Sequence, residues 1–137
     1  MLPFDANKSL QELEGEDWGK PTFDSHLVTE CHRLHRVPLR DFTVEDLRIM
    51  IGQHFSLEFL IPLALEHLRG EPLAEGAFYP GDLFTVVLRA GARFWQQHPD
   101  LRDEVAQIAS SAALRFEGIE EVVDAYAQFR KDQTPVA

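Results

Sequence analysis

The sequence predicts an all-α domain, a single bundle of about six or seven short helices, and three observations carry that prediction. Apolar residues recur at three- and four-residue spacing, capping residues and glycine stops bracket those stretches, and no stretch sustains the strict alternation of a strand. With 137 residues, 45% of them hydrophobic and ten of them Phe, the chain can fill one core without a disulfide or metal staple. One domain over residues 1–137 is expected, with 1–7 and 132–137 fraying.

Ser9 followed by Glu12 has the form of a capping box, opening a short turn through Leu10 and Leu13 that Gly15 stops. After a loop at Gly19-Lys20-Pro21, Ser25 or Asp24 caps a helix carrying Leu27, Cys31 and Leu34, which ends before Pro38. Thr43 and Asp46 open the next, with Val44, Leu47, Met50 and Ile51 on one face. Ser56 starts a strongly patterned helix through Leu57, Leu60, Ile61, Ala64, Leu65 and Leu68, stopped at Gly70. Pro62 implies either a kink or a regular part that begins there.

Residues 70–81, with three Gly and two Pro, read as an irregular loop. Asp82 then caps a helix with two apolar stripes: Leu83, Val86, Val87, Ala90 and Phe94 make one, and Phe84, Leu88 and Trp95 the other. A helix covered on both sides belongs at the centre. Pro99 fits the first turn of a helix running to Phe116, and a last helix beyond Gly118 turns Ile119, Val122, Val123, Tyr126 and Phe129 inward.

The formal charge is −10, and the acids concentrate toward the ends: residues 1–30 hold seven acids against two lysines. Such a chain repels nucleic acid and anionic membranes and steers toward basic partners. The longest apolar run, Phe59 to Leu65, is far below the roughly 20 residues of a membrane span. Met1-Leu2-Pro3-Phe4-Asp5 lacks the charged and apolar regions of a secretory signal, and the lone Cys31 suits a reducing compartment. The expected location is the cytoplasm.

No catalytic constellation emerges. Gly-x-Ser-x-Gly is missing, and Gly76 to Gly81 has neither the order nor the Lys-Ser/Thr of a phosphate loop. Cys31, His32 and His35 lie close in sequence, and Cys31 and His35 at i, i+4 share a helix face. A zinc site needs three or four ligands, and only Glu30 or His26 stands near enough to add to these. The plainer reading makes Cys31 a small core residue, and His32 and His35 surface or capping groups near a helix C-terminus. No cofactor and no metal are expected.

Binding has better candidates. Glu12, Glu14, Glu16 and Asp17 surround Trp18, and Asp24 extends the acidic stretch; an indole beside clustered carboxylates is the kind of anchor a basic partner engages. The competing reading has Trp18 packing the N-terminal arm onto the body. Glu117, Glu120, Glu121 and Asp124 form a second acidic surface, for which a solvated face is the default.

Several strings together resemble immunity proteins of bacterial contact-dependent growth inhibition systems. They are Ser9-Leu10-Gln11-Glu12-Leu13-Glu14-Gly15-Glu16-Asp17-Trp18-Gly19, Leu27 through Leu39 with Cys31-His32-Arg33-Leu34, Thr43-Val44-Glu45-Asp46-Leu47-Arg48 with Ile51-Gly52-Gln53, Leu60-Ile61-Pro62-Leu63-Ala64-Leu65, and Phe78-Tyr79-Pro80-Gly81-Asp82-Leu83. The resemblance covers roughly residues 8–98. It implies a cytoplasmic protein, not an enzyme, that neutralises the C-terminal effector domain of a cognate toxin by tight binding. Such effectors are often nucleases, whose basic surface a −10 protein can meet. The rival expectations are a metal- or small-ligand-binding helical regulator centred on Cys31, His32 and His35, and a general adaptor holding a partner helix in a groove.

Overall fold

The computed structural model describes residues 2–22 and 25–133, and within them every regular element is helical. In chain order these are α1 (Leu10–Glu14), α2 (His26–Leu34), α3 (Val44–Gly52), α4 (Leu57–Gly70), α5 (Asp82–Leu88), α6 (Ala92–Gln97), α7 (Pro99–Ala112) and α8 (Glu120–Asp132). Short 3-10 turns at Leu39–Asp41 and Ala113–Phe116 complete the set.

The local signals explain most of these boundaries. Both capping boxes form, Ser9 with Glu12 and Thr43 with Asp46, each satisfying two backbone N–H groups at a helix start. Ser25 caps α2 by accepting from the Val28 N–H. Pro99 occupies the first turn of α7, where its missing N–H costs nothing. Helix α4 begins at Leu57 and runs through Pro62, which is buried.

Where the chain departs from its pattern, backbone geometry supplies the reason. The stretch from Asp82 to Trp95 is two helices, because Gly91 adopts φ 106°, which no α-helix accommodates. Asp82 is the first residue of α5 and Gly81, at φ 88°, is its cap, so the aspartate side chain is free for another task. Helix α7 ends at Ala112, and the tighter turn after it swings Phe116 into the core. On α8 the inward stripe is Val122, Ala125 and Phe129, while Val123 falls past it and faces solvent. Leu27 on α2 is likewise exposed.

The segment from residue 2 to residue 8 makes contacts with the body. The Arg40 N–H donates to the Ala6 carbonyl at 2.8 Å, the Leu39 N–H to the Lys8 carbonyl at 3.0 Å, and the Phe4 ring meets Phe59 edge-on at 5.4 Å. Asp132 closes α8; the remaining tail from residue 134 lies outside the described residues.

Helix α5 is the hub. Leu83, Phe84, Thr85, Val87 and Leu88 are all buried, and the helix packs against α3, α4 and, most extensively, α8. The doubled apolar stripe predicts this central place. An aromatic chain links the layers: Phe84 meets Phe116, and Phe116 meets Tyr126 of α8, each edge to face.

Candidate functional site

The acidic N-terminal segment folds in a way that consumes part of its charge. The Glu12 carboxylate closes its capping box, accepting from the Ser9 N–H and Ser9 Oγ at 3.2 Å each. Glu14 turns inward: Oε1 lies 2.8 Å from His35 Nε2, and Oε2 accepts from Ser56 Oγ at 2.7 Å. Asp17 accepts from the Gly19 N–H at 2.7 Å and lies 3.6 Å from Arg36; the Gly19 hydrogen bond leads in holding its pKa below the ordinary value. Glu16 is exposed and has no partner among the described residues. Asp24 lies outside the described residues.

Trp18 is half-buried. Its indole stacks on the His35 ring at 3.9 Å and 9°, and meets Phe55 at 5.0 Å and His32 at 5.4 Å. Together Trp18, Leu27, Val28, Cys31, His32, Gln53 and Phe55 line a mainly apolar cleft of about 220 Å³. Trp18 therefore packs the N-terminal arm onto the end of α2 and also edges an open recess.

His35 caps α2, one of the two roles expected of it, and is wholly buried there. Its carbonyl accepts from the Gln11 N–H at 2.9 Å and its ring from below supports Trp18. The ring's Nδ1 has no partner among the described residues, so the geometry favours the tautomer in which Nε2–H donates to Glu14. Ser56 completes the cluster from the start of α4 with φ 53°, left-handed geometry that serine rarely adopts. Its hydroxyl donates to Glu14 and makes no capping hydrogen bond to α4.

Serine, glutamate and histidine thus sit together, in an order unsuited to nucleophilic catalysis. The hydroxyl donates to the carboxylate, whereas an attacking serine must pass its proton to the imidazole. Cys31 is buried, and desolvation raises its thiol pKa, opposite to the activation a nucleophile needs. His32 Nδ1 lies 3.2 Å from the Gly19 carbonyl. Among the described residues, no three His, Cys, Asp or Glu side chains are grouped so as to hold a metal ion.

A second cluster was not anticipated. Three consecutive amides of the loop before α5 are caught by two carboxylates: the Gly76 and Phe78 N–H groups donate to Asp82 at 2.7 and 3.0 Å, and the Ala77 N–H to Glu45 at 2.9 Å. Asp82 is buried. Arg48 makes a bidentate pair with Glu45 at 2.6 Å per bond, approaches Asp82 at 3.9 Å, and lies 4.3 Å beneath the Phe78 ring. A Cβ at Gly76 would stand 2.5 Å from Glu45 Oε1, so a larger residue there would push the Glu45 carboxylate out of its present position. The available signal was the acidic pair Glu45 and Asp82 bracketing a Gly-rich loop, but their 37-residue separation hid it.

Arg48 and the Ala77 N–H hold the Glu45 carboxyl below its ordinary value of 4.5, the Arg48 bond being the larger cause. A carboxyl depressed in the folded state adds stability above its unfolded value and loses it as pH falls through the folded one. The urea midpoint therefore drops as pH is lowered from about 4.5, and Glu45→Gln flattens that drop. Denaturation curves of both proteins between pH 7 and pH 3 check this; parallel curves would contradict it.

The other acidic surface stays open. Glu117, Glu120, Glu121 and Asp124 are exposed and unpaired among the described residues. In contrast Glu30, Glu71 and Glu104 are paired with Arg33, Arg115 and Arg69.

Among the described residues no helix is long and apolar enough to cross a membrane. No curated protein and no solved structure matches this chain. The sequence pattern of the CDI immunity proteins matches residues 12–105, from within α1 into α7, and so takes in both carboxylate clusters. That span is more than half of the chain, and the chain belongs to the family of CDI immunity proteins.

Proposed function

We propose that this immunity protein neutralises its cognate toxin in the cytoplasm by binding the toxin's C-terminal effector domain, a basic nuclease, and covering it without any turnover of its own. Members of the family inhibit toxins, and the observation that carries the finer reading is the charge of −10, much of it on side chains with no internal cation. A nuclease must present cationic groups to a polyanion, and a negative protein is steered to such a surface from a distance. The inward commitment of Ser56, Glu14 and His35 supports inhibition by occlusion over catalysis.

Within this reading, Glu12, Glu14, Glu16, Asp17, Trp18 and Asp24 remain the proposed N-terminal contribution to binding. Glu12, Glu16, Asp17 and the exposed edge of Trp18 are open to a partner. Glu12 and Glu14 act by fixing the shape of the segment. Co-expression with the C-terminal domain of the protein encoded directly upstream is the test. Rescue of growth and co-purification in one complex are expected; continued toxicity with no complex would remove the proposal. Loss of nuclease activity in the complex checks the effector class.

A further inference from the structure

We infer that Phe78 is the aromatic anchor of the toxin interface, inserting into an apolar recess rimmed by cationic side chains on the effector domain; this deepens the binding function proposed above. Phe78 is 70% exposed, an uncommon state for so large an apolar side chain. Its backbone is not free to hide it. The amides of residues 76–78 are tied to Asp82 and Glu45, and the ring's inner face rests on Arg48, leaving the outer face to solvent. A side chain held in its presented position loses little conformational freedom on binding, which is how aromatic anchors come to dominate interfaces.

The surroundings select the occupant. Glu45 and Asp82 against Arg48 leave the cluster with a formal charge of −1, and Glu75 on the same loop is exposed and unpaired among the described residues. Arg48 is already engaged by two carboxylates, so it does not repel an approaching cation. A second copy of this chain would bring another −10 to the same place, which disfavours self-association. Trp18 satisfies the same description in sequence but spends its face on His35. Leu114 is more exposed, at 91%, but lacks comparable bracing, and leucine is under-represented among interface anchors.

The test measures binding of the upstream-encoded toxin C-terminal domain to wild-type protein, Phe78→Ala, Phe78→Asp and Leu114→Ala, with thermal midpoints and light scattering in parallel. The expected result is a loss of about 30-fold or more in affinity for Phe78→Ala, a greater one for Phe78→Asp, and less than about threefold for Leu114→Ala. Because Phe78 is exposed, both variants should keep the wild-type helicity and melt within a few degrees of it. Wild-type binding with Phe78→Ala within about threefold of it, or an equal loss in Leu114→Ala, overturns the inference and leaves the immunity function standing. A wild-type dimer that Phe78→Ala dissolves also overturns it, giving the ring to a second copy. Absence of wild-type binding instead removes the function on which the inference rests.

Discussion

Asp82→Ala is expected to lower the unfolding free energy by about 3 kcal/mol, a large share of what a domain of this size possesses. Asp82 is 1% exposed, and its carboxylate satisfies the Gly76 and Phe78 amides while facing Arg48 at 3.9 Å. Truncation leaves both amides unpaired next to an arginine that has lost one of its two counter-charges. It also removes an acid from the first turn of α5, where negative charge is favourable, although that contribution is well under 1 kcal/mol. Asp82→Asn separates shape from charge. The amide fills the same space but offers only one acceptor oxygen, so one of the two N–H groups meets another donor, and about half the loss is expected. Urea denaturation followed by circular dichroism measures both variants; an alanine variant within 1 kcal/mol of wild type would show that the loop is not braced as described.

The second large effect belongs to Trp95. It is 1% exposed on α6, with its ring edge-on to Phe129 of α8 at 5.5 Å and to Phe94 at 5.1 Å. Trp95→Ala should cost about 3–5 kcal/mol, since the neighbouring helices cannot collapse fully into so large a space. Trp95→Phe should be far milder, about 1.5 kcal/mol or less. The reason is specific: the indole Nε1 is buried with no acceptor among the described residues, so phenylalanine gives up volume but no hydrogen bond. If phenylalanine proved as damaging as alanine, the indole nitrogen would have to carry an interaction that the structure lacks.

The fold was legible wherever one residue type has one dominant local use. Ser9 with Glu12 and Thr43 with Asp46 marked helix starts, and the doubled stripe of Leu83, Phe84, Val87 and Leu88 marked a helix covered all round. Boundaries were lost where apolar periodicity continues through a break. Ala90 and Phe94 keep the spacing across Gly91, and Phe116 keeps it past the end of α7, so only the backbone angle reveals the interruption. Val123 shows the limit of the pattern in the other direction, because helical spacing cannot tell which of two adjacent valines faces in.

The site was less legible, for a different reason. Counting carboxylates in residues 12–17 says nothing about which are used internally, and three of them, Glu12, Glu14 and Asp17, are. The burial of His35 left no sign in the sequence because its partner Glu14 lies 21 residues earlier and Ser56 lies 21 later. Phe78 and Arg48 stand in two separate strings that carried the family resemblance, and nothing short of the tertiary fold puts one above the other. Long-range pairing of this kind leaves no local trace.

Helix α8 lies wholly beyond residue 105, where the family pattern ends, yet it supplies Val122, Ala125 and Phe129 to the interior and is the main cover of α5. Translation therefore delivers α8 after every helix that it covers. A nascent chain that has released only the helices up to α7 still shows the apolar back of α5 to water, and the interior closes only once α8 has emerged.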